Sequence, residues 1–506
     1  MSAPAAPRRG AAALVALLAL VAITLSVWQL EGDRRGLNIT ALDTGTPTPA
    51  TLYVTADGAP APVVVVVHGF AGSRQLMEPF ALTLARAGYT VVSLDLMGHG
   101  RNPAPISGDL TRIEGTTMRM VAEMQAVAQA ALAHPRADGR LAWLGHSMAS
   151  DLVIRAGQEG PAAQAVVAIS AFSQAVSADQ PPNLLIVNGA FEGRLRSEAR
   201  RVVALTEPGA GEGQTVGDMA AGTARRAVAA PGVEHVGVLY AGTALAEARD
   251  WLDAAFDRQG DSAVALRGGW ILLLLAGIVA LGWPLARALP AAQAALPPAL
   301  PVRAFLAVTL APALAVPLLL WPVETRVLPV LVADYLALHF ALYGVLVLGL
   351  LGWWGQLRGR FPARVWWIAA AVAGFGILVF GGALDRYVAS FFPHPGRAAV
   401  IAGLALGAMP FMLADALVTQ GGRARLWRVV MARGAFLASL ALAVALDFQG
   451  LFFLIIILPV ILLFFLLFGL MAGWLGRRTG LPAAAGMGLG LVLAWALGVT
   501  FPMVAL

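Results

Sequence analysis

The sequence of 506 residues has no cysteine, and it has no lysine either: all 35 basic residues are arginine. Without cysteine there are no disulfides, thiolate metal sites or cysteine nucleophiles, and the redox state of the compartment is left open. Without lysine, Schiff-base chemistry, a serine–lysine dyad and a Walker phosphate loop are excluded. Charge of either sign is scarce. Only 13% of residues are charged while 58% are hydrophobic, and the mean hydropathy is +0.74, so much of the chain is expected in a bilayer. The net charge of +6 is carried by arginines in small groups between apolar runs rather than along one face, which argues against nucleic acid as a partner.

Residues 11–29 (AAALVALLALVAITLSVWQ) are uncharged and long enough to cross a hydrocarbon core as a helix. No small-x-small cleavage site follows, and Trp28 stands where an interfacial anchor would. Residues 1–35 are therefore expected to be an uncleaved signal anchor rather than a cleaved signal peptide. From 36 to 262 short β-branched runs alternate with Ala-rich helical stretches, as in an α/β domain. The expected strands are 51–56, 63–69, 90–96, 141–145, 164–170, 183–189 and 225–231, and their continuous apolarity suits a parallel sheet covered on both faces. A helix near 243–256 is expected to close this domain.

Residues 263–506 are expected to form a membrane domain, with apolar blocks near 269–288, 303–323, 328–352, 364–382, 398–418, 430–447, 451–475 and 481–503. Eight blocks plus the first make nine spans. The block at 430–447 is the weakest, because Arg433 and Asp447 bracket only thirteen uncharged residues. With a cytoplasmic N-terminus, the inner segments carry Arg8, Arg9, Arg287, Arg303, Arg358, Arg360, Arg364, Arg423, Arg425, Arg428, Arg433, Arg477 and Arg478, thirteen in all. The short outer loops carry three: Arg326, Arg386 and Arg397. This bias puts the α/β domain outside the cytoplasm, on a multi-pass protein of a bacterial inner membrane, the source that the arginine-only, Ala-rich composition suggests.

The stretch LGHSMAS, residues 144–150, follows an apolar run. A serine between a buried strand and a helix can be held on a strained turn that pushes its hydroxyl out of the sheet, and only small residues fit beside it. Gly145 and Ala149 are those neighbours of Ser147. The pattern departs from G-x-S-x-G by one methyl, at Ala149.

Taken in order, VVVVVHGF (63–70), TVVSLDLMGHGRN (90–102), LGHSMAS (144–150), LLIVNGAFE (184–192) and EHVGVLY (234–240) resemble the landmarks of the α/β-hydrolase family over residues 50–256. The resemblance implies an α/β-hydrolase fold with helices on both faces of a mostly parallel sheet, beside an α-helical transmembrane bundle. One departure is Asn102, where a small serine is common after the GHG turn. In this family the order is serine, acid, histidine. Of seven histidines only His235, His339 and His394 follow Ser147, and the last two lie in the apolar half, which leaves His235 as general base. Glu192 is the first carboxylate in the loop beyond 183–189, where the family keeps its acid, with Glu198 and Asp218 as alternatives. The backbone N–H groups of Phe70 and Met148 are implied as an oxyanion hole. His99 and His146 lie inside family turn motifs and are expected to be structural. Only about a dozen residues separate the strands at 164–170 and 183–189, so the helical cap that many relatives insert there is absent, and the membrane helices are the available roof.

These residues point to a membrane-bound serine hydrolase that cleaves an acyl ester of a lipid-like or acylated amphiphile through an acyl-serine intermediate, with the bilayer as a partner and no cofactor or metal. A serine aminopeptidase-like peptidase is the enzymatic alternative. A transporter or receptor with a non-catalytic hydrolase-like domain is the other. Asn38-Ile39-Thr40 is read as a chance sequon, and GMGLG (486–490) as close helix packing rather than a nucleotide loop. Asp334, His339, Asp415 and Asp447, in or at the ends of spans, are expected to be packing glue rather than a proton pathway.

Overall fold

The computed structural model describes residues 9–107, 113–260, 262–292, 298–324, 326–357 and 361–505. Arg8, Arg358 and Arg360 lie outside the described residues. The first apolar run is a helix, α1 (Arg9–Gly32). After it, β1 (Leu37–Leu42), β2 (Ala50–Thr55), β3 (Ala61–Val67), β4 (Thr90–Leu94), β5 (Ala137–His146), β6 (Ala165–Ile169), β7 (Leu184–Gly189), β8 (Thr215–Val216) and β9 (Arg225–Ala230) form one sheet. Their spatial order is β1-β2-β4-β3-β5-β6-β7-β9-β8. The five pairings from β4 to β9 are parallel, and β1–β2, β2–β4 and β8–β9 are antiparallel.

The valine run explains the centre of the sheet. Side chains alternate across a strand, so Val63, Val65 and Val67 enter the core on one face while Val64 and Val66 enter the other, all fully buried. Each such valine contributes about 1.5–3 kcal/mol relative to exposure. Between strands lie α2 (Glu78–Arg86), α3 (Met118–Leu132), α4 (Met148–Gln158) and α5 (Gly193–Ala204), and α6 (Gly242–Ala255) follows the last strand. Met124, Leu152 and Val202 bring α3, α4 and α5 onto the first face. Phe80 and Leu252 bring α2 and α6 onto the second. Two strands went unforeseen: β1 is an edge strand that buries no residue, and β8 is only two residues long, so neither carries an apolar run. Residues 68 and 69 lie just past β3 rather than in it.

The second half is helical: α7 (Gly268–Ala288), α8 (Val302–Leu320), α9 (Ala333–Trp353), α10 (Arg364–Gly374) continuing through a π-helical stretch at Phe375–Phe380 into α11 (Gly381–Tyr387), α12 (Ala398–Val418), α13 (Leu426–Leu446), the single turn α14 (Phe448–Leu451), α15 (Leu454–Thr479) and α16 (Pro482–Thr500). Together with α1, nine helical segments among the described residues are long and apolar enough to cross a membrane. The weakest block is a full helix that starts earlier than expected, because Arg433 is not a loop charge. It lies inside α13, bound to Asp415 of α12 through Nη2 at 2.9 Å and Nε at 3.1 Å. His339 bonds to Ser439 at 3.1 Å, and Asp334 accepts the Val327 and Leu328 N–H groups at the start of α9. Gly486, Gly488 and Gly490 lie where an added Cβ would stand 2.6 Å from Met412 O, Ala369 O and Met409 Cα, so the glycines let neighbouring backbones touch.

The two halves are docked through buried polar contacts. Arg267, fully buried, donates to Leu30 O at 2.9 Å and to Glu78 at 2.9 Å. Arg397, also fully buried, donates to Gly98 O at 2.8 Å and to Phe501 O at 2.7 Å. Met503 N donates to Gly98 O at 2.8 Å, and Arg101 binds Asp385 at 2.7 Å. The helix ends that reach the α/β domain here are the end of α1, the starts of α7 and α12, and the ends of α11 and α16. In a bundle of alternating helices these all lie on one side.

Candidate active site

Ser147 sits between β5 and α4 with φ 56° and ψ −118°, a left-handed conformation that costs a non-glycine residue on the order of 1–3 kcal/mol. Close neighbours enforce the turn. A Cβ on Gly145 would come 2.5 Å from Ala149 O, and one on Gly69 would come 2.9 Å from both His146 O and the Ser147 Cβ. Ala149 itself is fully buried in the first-face core, so the methyl that departs from the usual glycine is accommodated by packing. Asn102 also has a place: its side-chain N–H groups donate to Asp95 O at 2.9 Å and Glu123 Oε1 at 2.7 Å, and its Oδ1 accepts from Ala104 N at 3.0 Å.

His235, just beyond β9, brings Nε2 to 2.8 Å from Ser147 Oγ and Nδ1 to 2.6 Å from Glu192 Oε1. With Nδ1–H donating to the carboxylate, Nε2 is left to accept the serine proton. Glu192 follows β7, and its Oε2 accepts from Ser170 Oγ at 2.7 Å and Gly189 N at 2.6 Å. Burial works to raise its pKa, but the hydrogen bonds from His235, Ser170 and Gly189 outweigh it and hold the carboxyl below its ordinary value. The structure thus brings together Ser147, His235 and Glu192. It leaves Glu198 bound to Arg201 at 2.8 Å, and Asp218 capping Ala220 N at 2.8 Å.

Phe70 and Met148 flank the serine. Met148 is the first residue of α4, whose N–H has no acceptor in its own helix, and the Phe70 N–H makes no backbone hydrogen bond among the described residues. Neither amide has a backbone acceptor among the described residues. His68 is buried between Gly69 O at 2.8 Å and Leu96 N at 3.1 Å. Burial pushes the pKa of His99 down to about 3, and burial followed by His235 pushes that of His146 down to about 4. Among the described residues no group of three or more His, Asp or Glu could hold a metal ion.

Residues 58–200 match the model of a family described as serine aminopeptidase, S33 (Hydrolase_4). The first half of the chain is an α/β-hydrolase domain. Similar solved structures include a dienelactone hydrolase from Anabaena variabilis ATCC 29413 (14% identity, 43% of this chain and 96% of that one, TM-score 0.31). A hyperthermophilic esterase from the archaeon Pyrobaculum calidifontis (14%, 48% and 91%, 0.32) and the HSL-homolog EstE7 from a metagenome library (18%, 48% and 97%, 0.32) are others. No curated protein matches the sequence.

In this hydrolase domain the loop from β6 to β7 carries no helix, so there is no cap at that position. A cleft of about 560 Å3 lies over Ser147, and its walls include Phe70, Met120, Leu152 and, from the helical half, Phe453. Two members of the site were not foreseen. Ser170, at the end of β6 with φ 50°, could have been suspected as a hydroxyl at the sheet's carboxyl edge. Phe453 carries no signal in the sequence beyond being an aromatic residue at a helix end.

Proposed function

We propose that this protein is a membrane-bound serine hydrolase that cleaves an acyl ester of an amphiphile through an acyl-Ser147 intermediate. The observation that carries the reading is the continuous relay from Ser147 Oγ through His235 to Glu192, at 2.8 and 2.6 Å. Ser147 Oγ attacks the ester carbonyl carbon as its proton passes to His235 Nε2, and the Phe70 and Met148 N–H groups stabilise the oxyanion. The tetrahedral intermediate expels the alcohol, which takes the proton back from His235. Water then repeats the sequence on the acyl-serine, giving the carboxylic acid and free Ser147. Glu192 stays ionised and holds the imidazole in the required tautomer.

An ester is favoured over a peptide with a free amino terminus, despite the description of the matching family. An aminopeptidase cleft needs an unpaired carboxylate for the substrate ammonium. Among the described residues lining the cleft the one carboxylate is Asp151, bonded to Arg155 at 2.8 Å and to Ser173. Glu192 is committed to His235.

The apolar helices cross a bacterial inner membrane nine times with the N-terminus inside, and the hydrolase domain stands on the extracytoplasmic side. Arg287, Arg303, Arg364, Arg423, Arg425, Arg428, Arg477 and Arg478 support this, because they gather at the helix ends away from the hydrolase domain. Reaction of the purified chain with a fluorophosphonate, followed by intact-mass analysis, tests the chemistry. One adduct, on Ser147 and absent from Ser147→Ala, is expected; an adduct that persists in the variant overturns the assignment.

A further inference from the structure

Phe453, at the turn between α14 and α15, stacks on Phe70 with ring centroids 5.2 Å apart and planes at 27°. The contacts continue in both directions. Phe70 meets His99 edge-on at 5.8 Å, deep in the cleft. Phe453 meets Phe452 at 5.8 Å, and Phe452 meets Phe448 at 5.6 Å. Phe448 and Phe452 are 58% and 44% exposed, and the exposed apolar face runs on along α15 through Ile455 and Ile456. An unbroken row of rings therefore leads from the outer wall of the helical half to Phe70, in the wall of the cleft over Ser147.

Packing between the two halves explains only the inner end of this row. Phe70 and Phe453 bury against each other, but Phe448 and Phe452 leave most or much of their rings uncovered, an arrangement unfavourable at about 25 cal/mol per Å2 unless lipid covers it. A water-borne substrate has no use for such rings. The opposite chemistry lies on α4 and the loop after β6, where Asp151, Arg155 and Ser173 make a connected polar patch in the same cleft. One cleft thus offers an apolar wall that is continuous with a surface suited to lipid, and a separate polar wall.

We propose that Phe448, Phe452 and Phe453 form a lateral opening through which the acyl chain of a bilayer glycerolipid slides into the cleft, with Phe453 setting the depth at which the ester carbonyl meets Ser147. The head group then lies against the patch on α4. This rests on the ester-hydrolase reading and adds to it the substrate class and its direction of approach. Phe453 is a specificity-determining residue here, and Phe448 and Phe452 are its outer lip.

The test uses the full chain in nanodiscs containing a long-chain phosphatidylglycerol, with p-nitrophenyl butyrate as the soluble comparison. Phe452→Asp and Phe453→Ala are each expected to lower the ratio of glycerolipid to butyrate turnover roughly ten-fold or more, mainly through KM for the lipid. Phe453→Trp narrows the passage and is expected to shift preference towards shorter acyl chains. Fluorophosphonate labelling of Ser147 in every variant keeps misfolding separate from loss of passage. Ratios within two-fold of wild type in labelled Phe452→Asp and Phe453→Ala overturn the opening. A wild-type chain that cleaves butyrate but no glycerolipid overturns it while sparing the esterase reading, whereas a chain that cleaves neither and takes no label ends both.

Discussion

His146 and His235 are joined by one hydrogen bond: His146 Nε2–H donates to the His235 carbonyl oxygen at 2.9 Å. The two rings lie 4.9 Å apart, centroid to centroid. The residue before Ser147 thus holds the backbone of His235, and burial keeps it neutral, with its pKa pushed down to about 4. A charged imidazole in the same place would repel the imidazolium that the proposed mechanism forms on His235.

Replacing His146 by phenylalanine keeps the volume and removes the donor. A fall in kcat on the order of ten-fold with little change in KM is expected, since the lost bond aligns His235 rather than substrate. His146→Gln, which restores an N–H donor, is expected to recover part of the loss. Equal rates in wild type and His146→Phe contradict this role.

Stability is expected to fall with acid through two buried histidines. His99 and His146 stay neutral in the folded chain to about pH 3 and about pH 4, whereas in the unfolded chain they protonate near 6.5. Between those values the unfolded state binds more protons, so stability rises with pH and is lost as pH drops below about 6.5. At pH 5.5 each histidine accounts for about 1 kcal/mol. Thermal unfolding of the full chain in detergent at pH 7.5 and 5.5 measures it, and His99→Leu is expected to shrink the difference. An unchanged midpoint across that range contradicts the prediction.

Glu192, Glu198 and Asp218 are the three carboxylates beyond β7 that the sequence reading offers as the acid. Glu192→Ala is expected to cost on the order of 10³ to 10⁴ in kcat, because the imidazole loses its tautomer and orientation. Glu198→Ala and Asp218→Ala, whose partners are Arg201 and a turn amide, are expected to stay within two-fold of wild type. Steady-state rates on a soluble ester decide among them, and a defect confined to either of the latter two reassigns the acid.

The absence of cysteine makes the orientation directly measurable. In intact cells an impermeant maleimide is expected to modify Ser177→Cys, on the exposed loop after β6, and to leave Ala291→Cys, beyond α7, unlabelled until the membrane is broken. The reverse pattern places the hydrolase domain in the cytoplasm.

The parallel sheet, the nine long apolar helices among the described residues and the turn at Ser147 were legible in the sequence because each is a local pattern: a valine run, a long uncharged stretch, a serine between small residues. Glu192 and His235 could be named in advance because the order of landmarks restricts where an acid and a base can return to the sheet's carboxyl edge. Arg433 shows where local reading stops, since a charge beside an apolar block looks like a loop until Asp415 of another helix is seen to neutralise it. The same holds for Ser170 on Glu192, for His146 on the His235 carbonyl and for Phe453 on Phe70. Chain positions 70 and 453 share no local pattern. Only the docking of the two halves, fixed by Arg267 and Arg397 through buried polar contacts, decided that an aromatic residue of the helical half would form a wall of the hydrolase cleft.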